Sequence, residues 1–186
     1  MDLRPHSNKK QRLGIIGLAT YRSRTYLKLM NYGKLALARG HSETALRFFE
    51  RAHRLRPGTR TFSLLAWAYA VGGKLSMAKT LALQSHQLNP GHASPCNDFG
   101  SFLLQEGKSH EAMQWFEKAK NAPFCPRPET AFINTARAYL VQKNYRAAIL
   151  EFKKALDLVP GHSDLKEIIF RLKQKLKGLP FREKHH

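Results

Sequence analysis

The chain has 186 residues, 42% of them hydrophobic, with 32 Lys and Arg against 13 Asp and Glu and a net charge of +19 at neutral pH. That length buries a core without cross-links, and two cysteines are too few for a disulfide framework. No apolar run approaches the roughly 20 residues of a bilayer-spanning helix, so the composition excludes an α-helical membrane protein and favours acidic or anionic partners.

Residues 1–25 carry Arg4, Lys9, Lys10, Arg12, Arg22 and Arg24 against Asp2 alone. The apolar run 13–19 follows a basic segment, as in a secretory signal. It holds two glycines, lacks an A-x-A cleavage site and has no nearby cysteine for lipid attachment. The segment reads as a basic N-terminal tail or a short helix packed on the first helix pair. Helices are then expected in pairs: 26–39 with 42–55, 60–71 with 75–88, 95–105 with 109–120, and 129–142 with 145–158. Ser42 suits an N-cap, because its hydroxyl can accept from an orphan backbone N–H. Pro57-Gly58 stops the helix before it, and Pro95 suits a first helical position, where its missing N–H would be unpaired anyway. A last helix, 164–177, has Leu165, Ile168, Ile169, Leu172 and Leu176 at helical spacing opposite a basic face. Residues 178–186 read as a disordered basic tail.

Four alanines, Ala45, Ala78, Ala112 and Ala148, recur at spacings of 33, 34 and 36 residues. Twelve positions before each stands a small residue: Gly33, Ala66, Gly100 and Ala136. Seven positions after stands another: Ala52, Ser85, Ala119 and Ala155. Proline closes the frame in three of the four cases, at Pro57, Pro90 and Pro160. A period near 34 with this frame is the tetratricopeptide signature. The expected fold is all-α: a solenoid of four helix pairs at 26–58, 59–92, 93–128 and 129–161, closed by a capping helix at 162–177. The small residues let paired backbones approach, and Phe49, Phe116, Phe152, Tyr69 and Tyr139 fill the space beside them.

In such a solenoid the first helices of the pairs line a concave groove. Its expected residues are Met30, Lys34 and Leu37; Arg60, Ser63 and Trp67; Asn97, Ser101 and Leu104; and Ile133, Arg137 and Leu140. Trp67 offers the largest rigid contact area. Lys34, Arg60 and Arg137 suit acidic side chains or a C-terminal carboxylate. The carboxylate clamp of some chaperone-binding tetratricopeptide domains needs Lys and Asn where this chain has Met30 and Lys34, so that clamp is not expected. The fifth-place series Met30, Ser63, Asn97 and Ile133 lacks the repeated polar pairs of a one-base-per-repeat RNA code.

Positive charge concentrates in residues 1–92 and beyond 162, whereas residues 93–128 hold four basic and four acidic residues. Acidic protein segments are the first class of partner this field attracts, with nucleic acid as the alternative. Antiparallel pairing brings Cys96 and Cys125 to one end of a pair, so both a bridge and two free thiols are open. The nine histidines form no ligand cluster, and no nucleophile–base set, phosphate loop or carboxylate pair appears. The expectation is a non-enzymatic protein without metal or cofactor.

The connection 121–128 reads Asn-Ala-Pro-Phe-Cys-Pro-Arg-Pro and is two residues longer than the period. Ahead of it stands Asn97-Asp98-Phe99-Gly100, followed by Ser101, Phe102 and Leu103. This motif and the extended connection through Phe124, Cys125 and Pro126 resemble the PilF-like type IV pilus pilotin family, over about residues 25–161. The resemblance implies a scaffold or adaptor in pilus, motility or secretion-complex assembly, binding its partner through the groove. Pilotins have about six repeats and a lipobox cysteine; four repeats and no such cysteine are found here, so a cytoplasmic adaptor is expected. A periplasmic location is the alternative should a signal segment be missing from this sequence.

Overall fold

The computed structural model describes residues 6–178, with side chains from residue 20 onward. The described residues form nine helices: α1 (His6–Ala38), α2 (Ser42–Leu55), α3 (Thr59–Val71), α4 (Leu75–Leu88), α5 (Ala93–Gln105), α6 (Ser109–Lys120), α7 (Glu129–Val141), α8 (Tyr145–Leu158) and α9 (Ser163–Lys177). They divide into two compact units, residues 1–81 and 82–186, with the boundary inside α4. The second helices of the pairs fall on the expected residues. The first helix does not start at Tyr26 but runs unbroken from His6. No proline interrupts the stretch, and its two glycines cost only about 1 kcal/mol each against alanine, less than is needed to end a helix. The tail beyond Gly178 and residues 1–5 lie outside the described residues.

In the first unit α1 packs on α2 around Tyr26, Leu29, Met30, Ala45, Phe49 and Ala52. Gly33 faces Phe49 so closely that a Cβ there would lie 2.4 Å from a ring carbon. The second unit repeats the contact. Phe116 is fully buried, and a Cβ at Gly100 would lie 2.5 Å from its ring. In the α7–α8 pair Ala136 and Phe152 share one core cluster. α9 closes this unit by burying Leu165 and Ile169, with Leu172 and Leu176 packed beside them. Ile168, expected on the packing side, is 36% exposed, and Phe170 is 56% exposed, so the buried stripe is narrower than the apolar sequence pattern.

Each first helix ends in the same two-bond turn. The N–H of His41 donates to the Ala36 carbonyl and that of Gly40 to Leu37, and the turns after α3, α5 and α7 copy this. The turn needs a residue at positive φ. Gly40, Gly73 and Gly107 supply it at 76°, 77° and 80°, but the fourth turn places Lys143 there at 57°. Helix starts differ from expectation at two points. Ser42 is already helical, and its neighbour His41 caps without a side-chain hydrogen bond. α5 begins two residues before Pro95, capped by His92, whose Nδ1 accepts from the Ser94 N–H at 3.1 Å.

The connection after α6 is extended and strapped to the residues before α5. Ala93 N–H donates to the Phe124 carbonyl at 3.0 Å, and Phe124 N–H donates to the Gly91 carbonyl at 2.9 Å. The Phe124 and His92 rings meet edge to face at 4.9 Å. The prolines on either side, Pro123 and Pro126, keep this segment out of a helix.

α6 and α8 are joined by a nearly buried ion pair. Lys120 Nζ donates to Glu151 Oε2 at 2.8 Å, and both side chains are 10% exposed. Lys154 donates to the other Glu151 oxygen at 2.7 Å. Burial pushes the Glu151 carboxyl up, but the hydrogen bonds and charges of Lys120 and Lys154 outweigh it and leave the group below its ordinary 4.5. A carboxylate held low in the folded state stabilises above its unfolded value and loses that contribution as pH falls through the folded one.

Two outcomes are expected. Glu151→Gln lowers stability at pH 7 by about 2 kcal/mol and flattens the loss of stability below about pH 4.5, read from urea unfolding as a function of pH. Lys143→Gly removes the left-handed strain and raises stability by about 1 kcal/mol, visible as a higher melting temperature.

Candidate partner-binding faces

Within the second unit α5 and α7 are neighbours. Their contact carries a short polar ladder. Asn134 Nδ2 donates to Asn97 Oδ1 at 3.4 Å, and Arg137 Nη1 donates to Asn134 Oδ1 at 3.4 Å. Both asparagines are 6% exposed, whereas Arg137 is exposed. The long distances mark weak contacts, so the Arg137 guanidinium keeps most of its donor capacity. Ser101 is half-buried and its hydroxyl donates back to the Asn97 carbonyl of its own helix at 2.7 Å, so that proton is already used. Leu104 packs beside Phe116, and Ile133 and Leu140 pack on the α7–α8 core; all three are half-buried. The result is an apolar shelf with one cation and two amides.

In the first unit Lys34 and Arg60 are exposed, and Ser63 and Trp67 are half-buried. Leu37 packs against the core from its edge. Met30 is a correction to the expected groove. It is 2% exposed and belongs to the core with Leu29 and Phe49, so it has no surface to offer a ligand. Its place one turn before Gly33 on α1 directs it into the pair contact rather than outward.

Asn134 was absent from the expected set. The signal for it is weak, because Asn97 lies three positions before Gly100 whereas Asn134 lies two before Ala136. A pair offset by one position leaves no repeat series to read.

Cys96 and Cys125 are both free thiols, so the bridge left open by the sequence does not form. They share a small cluster with Ala93, Ala119 and Ala131. Cys96 Sγ lies 3.5 Å from His86 Nδ1, a pairing of the kind that activates nucleophilic cysteines. Here it does not. Cys96 is 2% exposed, and burial pushes its thiol up despite the nearby charge of Lys118. Burial likewise raises the Cys125 thiol. Among the described residues no three His, Cys, Asp or Glu side chains gather at a metal-binding distance, and no helix is long and apolar enough to cross a membrane.

A tetratricopeptide-repeat family model matches residues 93–122, which span α5 and α6. No curated protein matches the chain. Among solved structures, PilF of Pseudomonas aeruginosa is similar over 84% of this chain and 71% of its own, at 21% identity and a TM-score of 0.68. YrrB, a tetratricopeptide protein described as having an unusual peptide-binding site, is similar over 78% of this chain and 73% of its own, at 22% identity and a TM-score of 0.56. The first tetratricopeptide domain of RPAP3, solved with the HSP90 peptide SRMEEVD, is similar over 64% of this chain and 94% of its own, at 14% identity and a TM-score of 0.56. With its 34-residue frame, its helix pairs and these likenesses, the chain has an all-α tetratricopeptide-repeat fold similar to that of PilF.

Proposed function

We propose that this protein is a non-enzymatic adaptor that holds a peptide segment of a protein partner on the outward faces of its first helices. The α5–α7 face carries the reading. Leu104, Ile133 and Leu140 offer half-buried apolar area, and Arg137 stands exposed above a floor of two amides. That mixture suits an extended segment with apolar residues and an acidic group. Trp67, Lys34 and Arg60 offer the same chemistry on the first unit. Peptide binding by similarly folded proteins supports this reading.

The biological setting we propose is a type IV pilus, motility or secretion complex, with the protein in the cytoplasm. The pilotin-like motif, the strapped connection at Phe124 and the fold likeness to PilF support it. The net charge of +19 favours a second reading, association with nucleic acid or a ribonucleoprotein.

Affinity capture with the full chain, with and without nuclease, separates the two. Trp67→Ala and Arg137→Ala are each expected to weaken capture of a nuclease-resistant protein partner about tenfold, with helicity by circular dichroism unchanged. Capture that vanishes on nuclease treatment establishes the second reading. Capture indifferent to both substitutions contradicts the assigned faces.

A further inference from the structure

The first unit contains a cavity of about 320 Å³ where α1 meets the turn between α2 and α3. Tyr26 and Leu27 form one wall, and the run from Arg56 to Thr61 forms the other. The volume lies at the lower end of the range for ligand pockets and suits one or two residues. We infer that this cavity is a carboxylate-binding site for an acidic peptide segment, with Arg56 and Arg60 as its ligating cations. The inference rests on the peptide-binding reading above and deepens it, joining Arg60 of that reading to Arg56 at one cavity.

The turn is built rigidly. Pro57 fixes its own φ. Thr61 is 1% exposed, and its hydroxyl donates to the Gly58 carbonyl at 2.8 Å. That uses the only hydroxyl proton, so His53 Nδ1, 2.9 Å away, donates to the same oxygen. The backbone carrying Arg56 and Arg60 is therefore held from both sides. The Arg56 guanidinium carbon sits 5.8 Å from the centre of the Tyr26 ring, within cation–π range. Arg60 opens on the same cavity four residues later.

Charge defines the ligand. Among the described residues neither arginine forms an ion pair with a carboxylate, and residues 20–81 contain only two acidic residues, Glu43 and Glu50, both on α2. Each guanidinium is a planar fork of N–H donors that matches a carboxylate, and two of them line this one small cavity. Nucleic acid fits less well. Base recognition on an aromatic needs an open ring face, but Tyr26 is 7% exposed and Arg56 lies over it. Leu27 and Pro57 give the cavity apolar edges suited to the neighbours of an acidic residue in a peptide.

The test is an NMR titration of the full chain, following the backbone amide signals of Leu27, Gly58, Thr59 and Thr61, which line the cavity and persist in every variant used. Four probes are used: a blocked peptide with one central glutamate, its glutamine counterpart, a neutral peptide with a free C-terminal carboxylate, and oligothymidylate. The glutamate peptide is expected to give saturable shifts at least tenfold tighter than the glutamine peptide. Arg56→Gln with Arg60→Gln should abolish that difference, whereas Arg47→Gln with Arg51→Gln, an equal loss of charge on α2, should keep it. Saturation by the C-terminal carboxylate peptide alone would support the site and identify a chain end as its ligand. Equal binding of the glutamine peptide, equal loss in the α2 variant, or a response to oligothymidylate alone would overturn it. The parent reading is tested separately. Undiminished capture of a Trp67- and Arg137-dependent partner by the Arg56/Arg60 variant sinks this site and leaves that reading standing.

Discussion

Two α-helices pair in this protein only as closely as their thickest residues allow. At Gly33 and Gly100 the missing side chain lets a phenylalanine ring from the partner helix rest almost on the backbone. The ring is buried, the helix axes are pinned at one point, and every other contact in the pair is registered from there. Ala45 and Ala112 keep the second helix equally slim one turn before that ring. The pair contact then decides which residues turn inward. Met30 is drawn into the core by it, while Lys34, one position past Gly33, is turned out.

Much of this was legible because a repeated chain repeats its punctuation. Alanine at a fixed frame and Pro-Gly or Gly turns between helices locate α2, α4, α6 and α8 without reference to any partner. Signals that occur once are harder to read. The extension of α1 back to His6 is marked in the sequence only by the single Pro5 ahead of it, with no repeat of that signal elsewhere in the frame. Ile168 has the apolar character of a core residue and the angular position of a surface one. Asn134 is invisible until α7 is laid beside α5. The Arg56 cavity depends on a turn whose backbone is fixed by His53 and Thr61, eight residues apart, and no periodicity encodes it. As for the groove set, spacing places its members on the first helices, but only the packing of α1 on α2 separates the buried Met30 from the half-buried Trp67.

Charge follows a similar division between structure and exposure. Where it is structural it is paired. Glu151 sits between Lys120 and Lys154. Residues 20–81 supply only two carboxylates, Glu43 and Glu50, against many more Lys and Arg. Excess exposed cations repel one another and weaken the folded state slightly. Exposed charge interaction of this kind falls with salt, whereas the Lys120–Glu151 contact, with both side chains largely covered, is far less screened.

The close approach of glycine to phenylalanine is the claim on which the rest depends, and a urea-unfolding double-mutant cycle at Gly100 and Phe116 tests it most directly. Helix propensity alone makes Gly100→Ala stabilising by about 1 kcal/mol. The packing described here makes it destabilising by about 1–3 kcal/mol in the parent chain and close to neutral once Phe116→Leu has withdrawn the ring. A parent chain stabilised by Gly100→Ala, with no coupling to Phe116, would contradict the account.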